Sequence, residues 1–206
     1  LPPAPSPSVL DLAPVVPVVV IEDVADAVPL ARALVAGGLT AVEVTLRTPA
    51  APAAIRAVAA EVPEAVVGAG TVITPGQVDE AVAAGAQFLV SPGWTDTLLE
   101  AMRASGVPFL PGVATAGEIM HGLDLGLTHF KFFPAETSGG IKALKALAAP
   151  FAQCRFCPTG GITAASAPDW LALDPVLCVG GSWIVPKGAD MQQVRTLAQQ
   201  AAALRR

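Results

Sequence analysis

Tyrosine is absent from this 206-residue chain, and histidine is nearly so, with two residues in all. Those two, His121 and His129, fall on an expected helix and an expected strand without ligand spacing, so a catalytic metal centre built on histidine and carboxylate has no basis here. Cysteine is also sparse: Cys154, Cys157 and Cys178. Cys154 and Cys157 have C-x-x-C spacing, but along a strand that spacing sends them to opposite faces. With no second pair, they read as buried free thiols in a reducing compartment rather than a zinc or redox site. Positive charge is scarce too, with 12 basic against 17 acidic residues, a net charge of −5 and no basic block. Nucleic acid is thereby excluded as an expected partner. Long apolar runs are missing even though mean hydropathy is +0.59. The longest valine-rich run, 15–21, is far shorter than the ~20 residues a membrane helix needs, so no membrane association is expected. The chain opens on Leu1 with no basic leader segment, and a cytoplasmic location is expected.

What the chain has instead is apolar material in short pieces. Hydrophobic residues make up 53% of it, broken throughout by 20 prolines and 19 glycines. Strands buried on both faces of a parallel sheet produce such a composition. From residue 15 a unit repeats: a short apolar strand, a turn, then an Ala-rich helix. Strands are expected over 15–20, 40–46, 66–70, 88–90, 108–110, 129–133, 155–157 and 176–179. Helices are expected over 24–36, 49–61, 74–85, 95–105, 115–123, 139–149, 165–171 and 190–204. Thr74-Pro75 reads as N-cap and first helical residue, and Thr115 with Glu118 as a capping box. Eight such units predict a single-domain (β/α)8 TIM barrel over 14–206, with 1–13 as a Pro-rich tail or a short helix capped by Ser8. A doubly wound open sheet is the alternative, disfavoured because no G-x-G-x-x-G follows the first strand.

Chemistry in such barrels belongs to the C-terminal ends of the strands. The chain has four lysines, and only Lys131 lies inside an aromatic run, Phe130-Lys131-Phe132-Phe133. Taken alone, it reads more readily as an edge-strand lysine that snorkels to water. Strand parity says otherwise: Lys131 takes the barrel-facing side while Phe130 and Phe132 take the helix-facing side. The same parity in Val42-Glu43-Val44-Thr45-Leu46-Arg47 turns Glu43, Thr45 and Arg47 inward. Three inward polar residues are costly unless they bind something. A desolvated lysine beside Arg47 would lose its proton more easily and become a nucleophile, with Glu43 accepting and returning protons. Glu136, past Pro134, reads as starting or capping a helix. Gly68, Gly70 and Gly93 let backbone approach a ligand, or merely make tight turns. Two Gly-Gly loops, Gly160-Gly161 and Gly180-Gly181-Ser182, follow strands seven and eight, where barrels of this kind bind phosphate.

Together these residues resemble the 2-dehydro-3-deoxy-phosphogluconate (KDPG) aldolase family, whose members are class I aldolases. The matching segments are Val42-Glu43-Val44-Thr45-Leu46-Arg47-Thr48-Pro49, Val67-Gly68-Ala69-Gly70-Thr71-Val72, Gln87-Phe88-Leu89-Val90-Ser91-Pro92-Gly93, Phe130-Lys131-Phe132-Phe133-Pro134-Ala135-Glu136, Phe156-Cys157-Pro158-Thr159-Gly160-Gly161-Ile162 and Gly180-Gly181-Ser182-Trp183. The likeness runs from about Pro14 to the last helix. It implies reversible cleavage of KDPG to pyruvate and glyceraldehyde 3-phosphate in the Entner–Doudoroff pathway, with activity on 4-hydroxy-2-oxoglutarate in some members. It further implies a Schiff base on Lys131, acid–base work by Glu43, and contacts to the pyruvyl part from Arg47, Thr71, Pro92 and Phe133, with Thr159 beside them. Gly160, Gly161, Gly180, Gly181 and Ser182 would bind phosphate. The resemblance also implies a homotrimer that uses no metal and no cofactor beyond the covalent lysine adduct. Relatives acting on the galactonate epimer tend to carry Asn where this chain has Arg47. A phosphosugar isomerase or synthase on the same barrel would explain the Gly-Gly loops and leave Lys131 without a role.

Overall fold

The computed structural model describes residues 13–204. The expected tail and the Ser8 cap lie outside the described residues. Nine short strands and eight helices alternate: β1 (Val15–Val19), α1 (Val24–Ala36), β2 (Ala41–Thr45), α2 (Ala51–Glu61), β3 (Val66–Gly70), α3 (Pro75–Ala83), β4 (Leu89–Val90), α4 (Asp96–Ala104), β5 (Phe109–Leu110), β6 (Gly112–Val113), α5 (Ala116–Asp124), β7 (His129–Phe132), α6 (Gly140–Ala148), β8 (Arg155–Pro158), α7 (Ala167–Leu171), β9 (Val179–Gly181) and α8 (Met191–Ala202).

The strands pair in parallel, six in the order β5-β4-β3-β2-β1-β9 and three in the order β6-β7-β8. β5 falls in the expected strand 108–110, whereas β6 lies beyond its expected end. Pro111 has no N–H to give the ladder, so the run pairs with β4 before it and with β7 after it. Isolated parallel bridges join Phe156 to Val176 and Thr159 to Gly180. The last strand therefore begins later than expected: Val176 makes only a bridge, and β9 starts at Val179.

Two apolar clusters divide the residues by face. The larger includes Val42, Val44, Phe130, Phe132, Phe156 and the buried sides of the helices. The smaller holds Val16, Ala41, Phe88, Val90, Leu110, Cys157 and Cys178. Its members come from strands at both ends of the six-stranded sheet and from β8, and they meet only if the sheet curls around them. The protein is thus an α/β fold with a curled parallel sheet, helices outside and a small apolar plug on the concave side.

Helix starts follow local chemistry. Thr74, Thr95, Thr115 and Asp190 each accept a backbone N–H from the third residue on, and Thr115 with Glu118 forms the expected capping box. α2 departs from expectation: it begins at Ala51 with no side-chain cap, and its early proline is Pro52 rather than Pro49.

Candidate active site

Lys131 sits mid-strand in β7, between Phe130 and Phe132, which are both fully buried against the helices. Its own side chain points to the concave side and is 6% exposed. Its Nζ donates a hydrogen bond to Glu43 Oε1 at 3.3 Å, across 88 residues of sequence. The Glu43 side chain is 5% exposed. These two are the buried charged residues among those described. A buried pair of this kind contributes little net stability against an apolar replacement, because desolvating both ions offsets their attraction. Its presence at the mouth of a curled sheet therefore points to chemistry rather than to structure.

Glycine makes room for the carboxylate. A Cβ at Gly70 would stand 2.1 Å from Glu43 Oε1, so the acid lies directly over the bare backbone of β3. Gly68 serves the Phe88 ring in the same way, at 2.5 Å. These two glycines thus admit protein side chains, and neither makes a tight turn.

Below the pair lies Cys157, registered opposite Lys131 on β8. Its thiol is held below the usual range, chiefly by a hydrogen bond with Cys178 and further by the Lys131 charge, with burial opposing. Cys154 faces the helix layer instead, and burial pushes its thiol up. All three cysteines are buried and outside any disulfide, and the C-x-x-C pair does divide between the two faces.

Arg47 corrects the expected inward trio. β2 ends at Thr45, so the strand alternation does not extend to Arg47, which stands exposed on the turn beyond. Its Nε donates to Thr71 Oγ1 at 3.2 Å, at the rim of the mouth rather than beside the lysine. The partner of the lysine ammonium is Glu43. Thr45 does point inward, but its hydroxyl donates to Val19 O at 3.0 Å and ties β2 to β1. Thr71 has φ 60, the left-handed region that costs a β-branched residue of order 1–3 kcal/mol. Such outliers gather where a side chain must be aimed, here at the guanidinium.

A pocket of about 250 Å³ is lined by Arg47, Phe133, Thr159, Gly160, Gly161, Gly180 and Ser182 together with Val18, Val20 and Ile162, and it shares Thr159 with the small cavity that Lys131 and Glu43 line. The Phe133 ring centroid is 5.3 Å from Lys131 Nζ. Seven expected residues thus meet in one place. Lys131, Glu43, Thr71, Gly181 and Pro92 are not in this lining. Gly181 is paired with Pro17 and covered by the Trp183 ring, which a Cβ would approach to 2.1 Å. The Pro92 carbonyl instead packs on Gly112. Val18 and Val20 were not expected to line the site, although parity along the expected strand 15–20 places both on one side. His121 pairs with Asp96 at 2.8 Å on the surface and stacks on Trp94. Among the described residues, no group of three or more His, Cys, Asp or Glu could hold a metal. No described helix is long and apolar enough to cross a membrane.

Fold and site together define an α/β protein with a buried amine–carboxylate pair under a glycine-rich mouth. The family model for KDPG and KHG aldolase matches residues 7–197, and the chain belongs to that family. The KHG/KDPG aldolase of Escherichia coli K12 is 56% identical over 198 residues, 94% of this chain and 93% of that protein. A 2-keto-3-deoxy-6-phosphogluconate aldolase from Zymomonas mobilis ZM4, solved with 3-phosphoglycerate, superposes with a TM-score of 0.93 at 57% identity, covering 97% of this chain and 95% of that one. The KDPG aldolase of Legionella pneumophila, with pyruvate captured as a covalent carbinolamine, also reaches 0.93, at 48% identity over 95% of this chain and 97% of that one.

Proposed function

We propose that the chain is a class I aldolase cleaving 2-dehydro-3-deoxy-6-phosphogluconate to pyruvate and D-glyceraldehyde 3-phosphate, and 4-hydroxy-2-oxoglutarate to pyruvate and glyoxylate. One observation carries the reading: a lysine amine and a carboxylate, both buried and 3.3 Å apart, line a small cavity that shares Thr159 with a pocket edged by two Gly-Gly loops. Glu43 takes a proton from the Lys131 ammonium, and the free amine adds to the C2 carbonyl. Glu43 returns that proton to the carbinolamine hydroxyl, which leaves as water to give an iminium. Glu43 then removes the C4 hydroxyl proton, the C3–C4 bond breaks, and its electrons pass into the iminium to form an enamine. The aldehyde leaves, Glu43 returns a proton to C3, and water hydrolyses the iminium to pyruvate and the Lys131 ammonium. A single carboxylate suffices because it serves first as base and then as acid.

In this reading Arg47 and Thr71 receive the substrate carboxylate, with Pro92 and Phe133 as walls and Thr159 beside them. Gly160, Gly161, Gly180, Gly181 and Ser182 offer backbone N–H groups and a hydroxyl to the phosphate. The covalent lysine adduct is the enzyme's own electron sink, and neither metal nor organic cofactor has a part. Arg47 favours the gluconate over the galactonate epimer.

The curled sheet is inferred to close as an eight-stranded (β/α)8 barrel in one catalytic domain over 14–206. Support comes from β5 and β6 forming one strand around Pro111 and from the two bridges between β8 and the approach to β9. A cytoplasmic homotrimer completes the proposal, supported by the family resemblance and by the exposed apolar side chains of Ile73 and Met120.

Borohydride reduction in the presence of pyruvate, followed by peptide mass mapping, is expected to fix a three-carbon adduct on Lys131. A coupled pyruvate-release assay should show turnover of KDPG above its galactonate epimer. Absence of both adduct and pyruvate release sinks the reading, and favours an isomerase or synthase using the same phosphate loops.

A further inference from the structure

We propose that Glu136 is a positioning residue for the phosphate loop, acting through the indole of Trp170, and that this pair sets how strongly the enzyme prefers phosphorylated substrates. The inference rests on the aldolase reading and deepens its phosphate subsite.

The loop after β8 has little of its own to hold its shape. Gly160 and Gly161 have φ of 105 and 80, conformations that glycine adopts freely and leaves as freely. Their geometry must come from what surrounds them. On one side, Ala135 N donates to Thr159 O at 2.8 Å and Glu136 N donates to Gly160 O at 3.1 Å. The segment following β7 is thus laced to the loop residue by residue. The stem of Glu136 then lies flat on Gly161: a Cβ there would stand 2.7 Å from Glu136 Cβ and 2.8 Å from its Cγ.

Beyond that contact the carboxylate reaches across, and Glu136 Oε1 accepts a hydrogen bond from Trp170 Nε1 at 2.9 Å. Trp170 is fully buried and sits in α7, the first helix after the loop. Its indole N–H has no route to water, so the carboxylate is what satisfies it. The loop therefore enters against the Glu136 backbone and leaves into a helix moored to the Glu136 side chain. The ring of Trp170 also tilts against Phe132 at 6.3 Å, on the strand that carries Lys131. A helix-capping role for Glu136 is not what the structure shows. No side-chain hydrogen bond caps α6; Glu136 Oε1 is held by Trp170, while Oε2 lies beside Gly140, where a Cβ would stand 3.4 Å from it.

Glu136 carries negative charge near a proposed dianion site, which on electrostatic grounds alone disfavours phosphate. The geometry accounts for it as an acceptor rather than as a charge. Gln keeps the acceptor and drops the charge, and Ala drops both.

The test compares wild type, Glu136→Ala, Glu136→Gln and Trp170→Phe in two assays. One is steady-state cleavage of KDPG. The other is exchange of pyruvate methyl protons with D2O, which uses Lys131 and Glu43 and no phosphate. Glu136→Ala and Trp170→Phe are expected to raise KM for KDPG about five- to twenty-fold, with kcat and the exchange rate within about twofold of wild type. Glu136→Gln is expected to restore KM to wild type or below. Thermal melts accompany each variant, and Trp170→Phe, which keeps most of the buried ring, guards against loss of folding in Glu136→Ala. An unchanged KM for KDPG in both disrupted variants overturns the proposal. So does an equal fall in KDPG cleavage and pyruvate exchange, which marks a general structural role. A wild-type protein inert in both assays overturns the aldolase reading, and this proposal with it.

Discussion

Replacing Glu43 by Gln is the sharpest test of the chemistry, because the side chain keeps its size and loses only its ability to carry a proton. Glu43 is buried, and its carboxylate is the acid within reach of Lys131 Nζ. The other acids near the mouth are occupied or remote: Glu136 holds Trp170, and Asp96 pairs with His121 on the surface. A water molecule would have to take over both proton steps. Removing a positioned acid–base group costs about 10²–10⁴ in rate, or about 2.7–5.4 kcal/mol of barrier at roughly 1.36 kcal/mol per decade. The amide can still accept the Lys131 hydrogen bond, so the fold should persist, with some loss of stability because the lysine has no counter-ion. The assay is NMR observation of pyruvate methyl exchange in D2O, run beside borohydride trapping and a thermal melt. Glu43→Gln should still trap pyruvate on Lys131, more slowly, while exchange falls at least a hundredfold. Exchange within tenfold of wild type, in a folded protein that still traps pyruvate, would refute the assignment of both proton transfers to this carboxylate.

Gly70→Ala should cut KDPG turnover by ten- to a hundredfold with the melting transition kept, since the new methyl lands 2.1 Å from Glu43 Oε1 and displaces the acid. Normal turnover in that variant would remove the case for the fit. Thr115→Ala deletes the capping box of α5 and should cost about 1 kcal/mol, lowering Tm by roughly 2–4 °C in a chain of this size with kcat unchanged, as read by calorimetry and the coupled assay. Cys157 should be alkylated before Cys154 as pH rises, because its thiol is held low while burial holds that of Cys154 high. Pyruvate should slow that reaction, and peptide mapping that finds Cys154 modified first would contradict the order.

Features set by a few neighbouring residues were legible in the sequence. Alternation along β7 alone separates Lys131 from Phe130 and Phe132, and the structure keeps that separation. The caps at Thr74 and Thr115 were equally plain, because a hydroxyl and an N–H three residues on are all they need. Errors arose where a local pattern was carried past the hydrogen bonds that sustain it. Arg47 continues the alternation of β2 in sequence, but the ladder has ended, so the side chain belongs to a turn and the rim. Gly112-Val113 pairs as a strand although glycine beside proline reads as a turn, because its partner on β7 is distant in sequence. Glu136 looked like a helix start for the same reason: the indole that fixes its role lies 34 residues on.

The glycines on the concave side show how such distant information is nevertheless written into the chain. Gly68, Gly70, Gly112 and Gly180 lie on three different strands, and a Cβ at each would collide with a different group: the Phe88 ring, the Glu43 carboxylate, the Pro92 carbonyl and the Thr159 hydroxyl. None of the four has the positive φ that would explain glycine by backbone freedom. Each is glycine because something from a neighbouring strand lies over it. Phe88 belongs to the apolar plug below the lysine, so Gly68 governs how deeply the floor sits. Gly70 fixes the acid beside the amine, and Gly180 lets Thr159 close on the pocket wall. The bulky side chains alone would leave Glu43 free to swing away from Lys131. The missing methyl at position 70 provides the groove that holds it at hydrogen-bonding distance. The catalytic geometry thus depends on residues that contribute no functional group of their own.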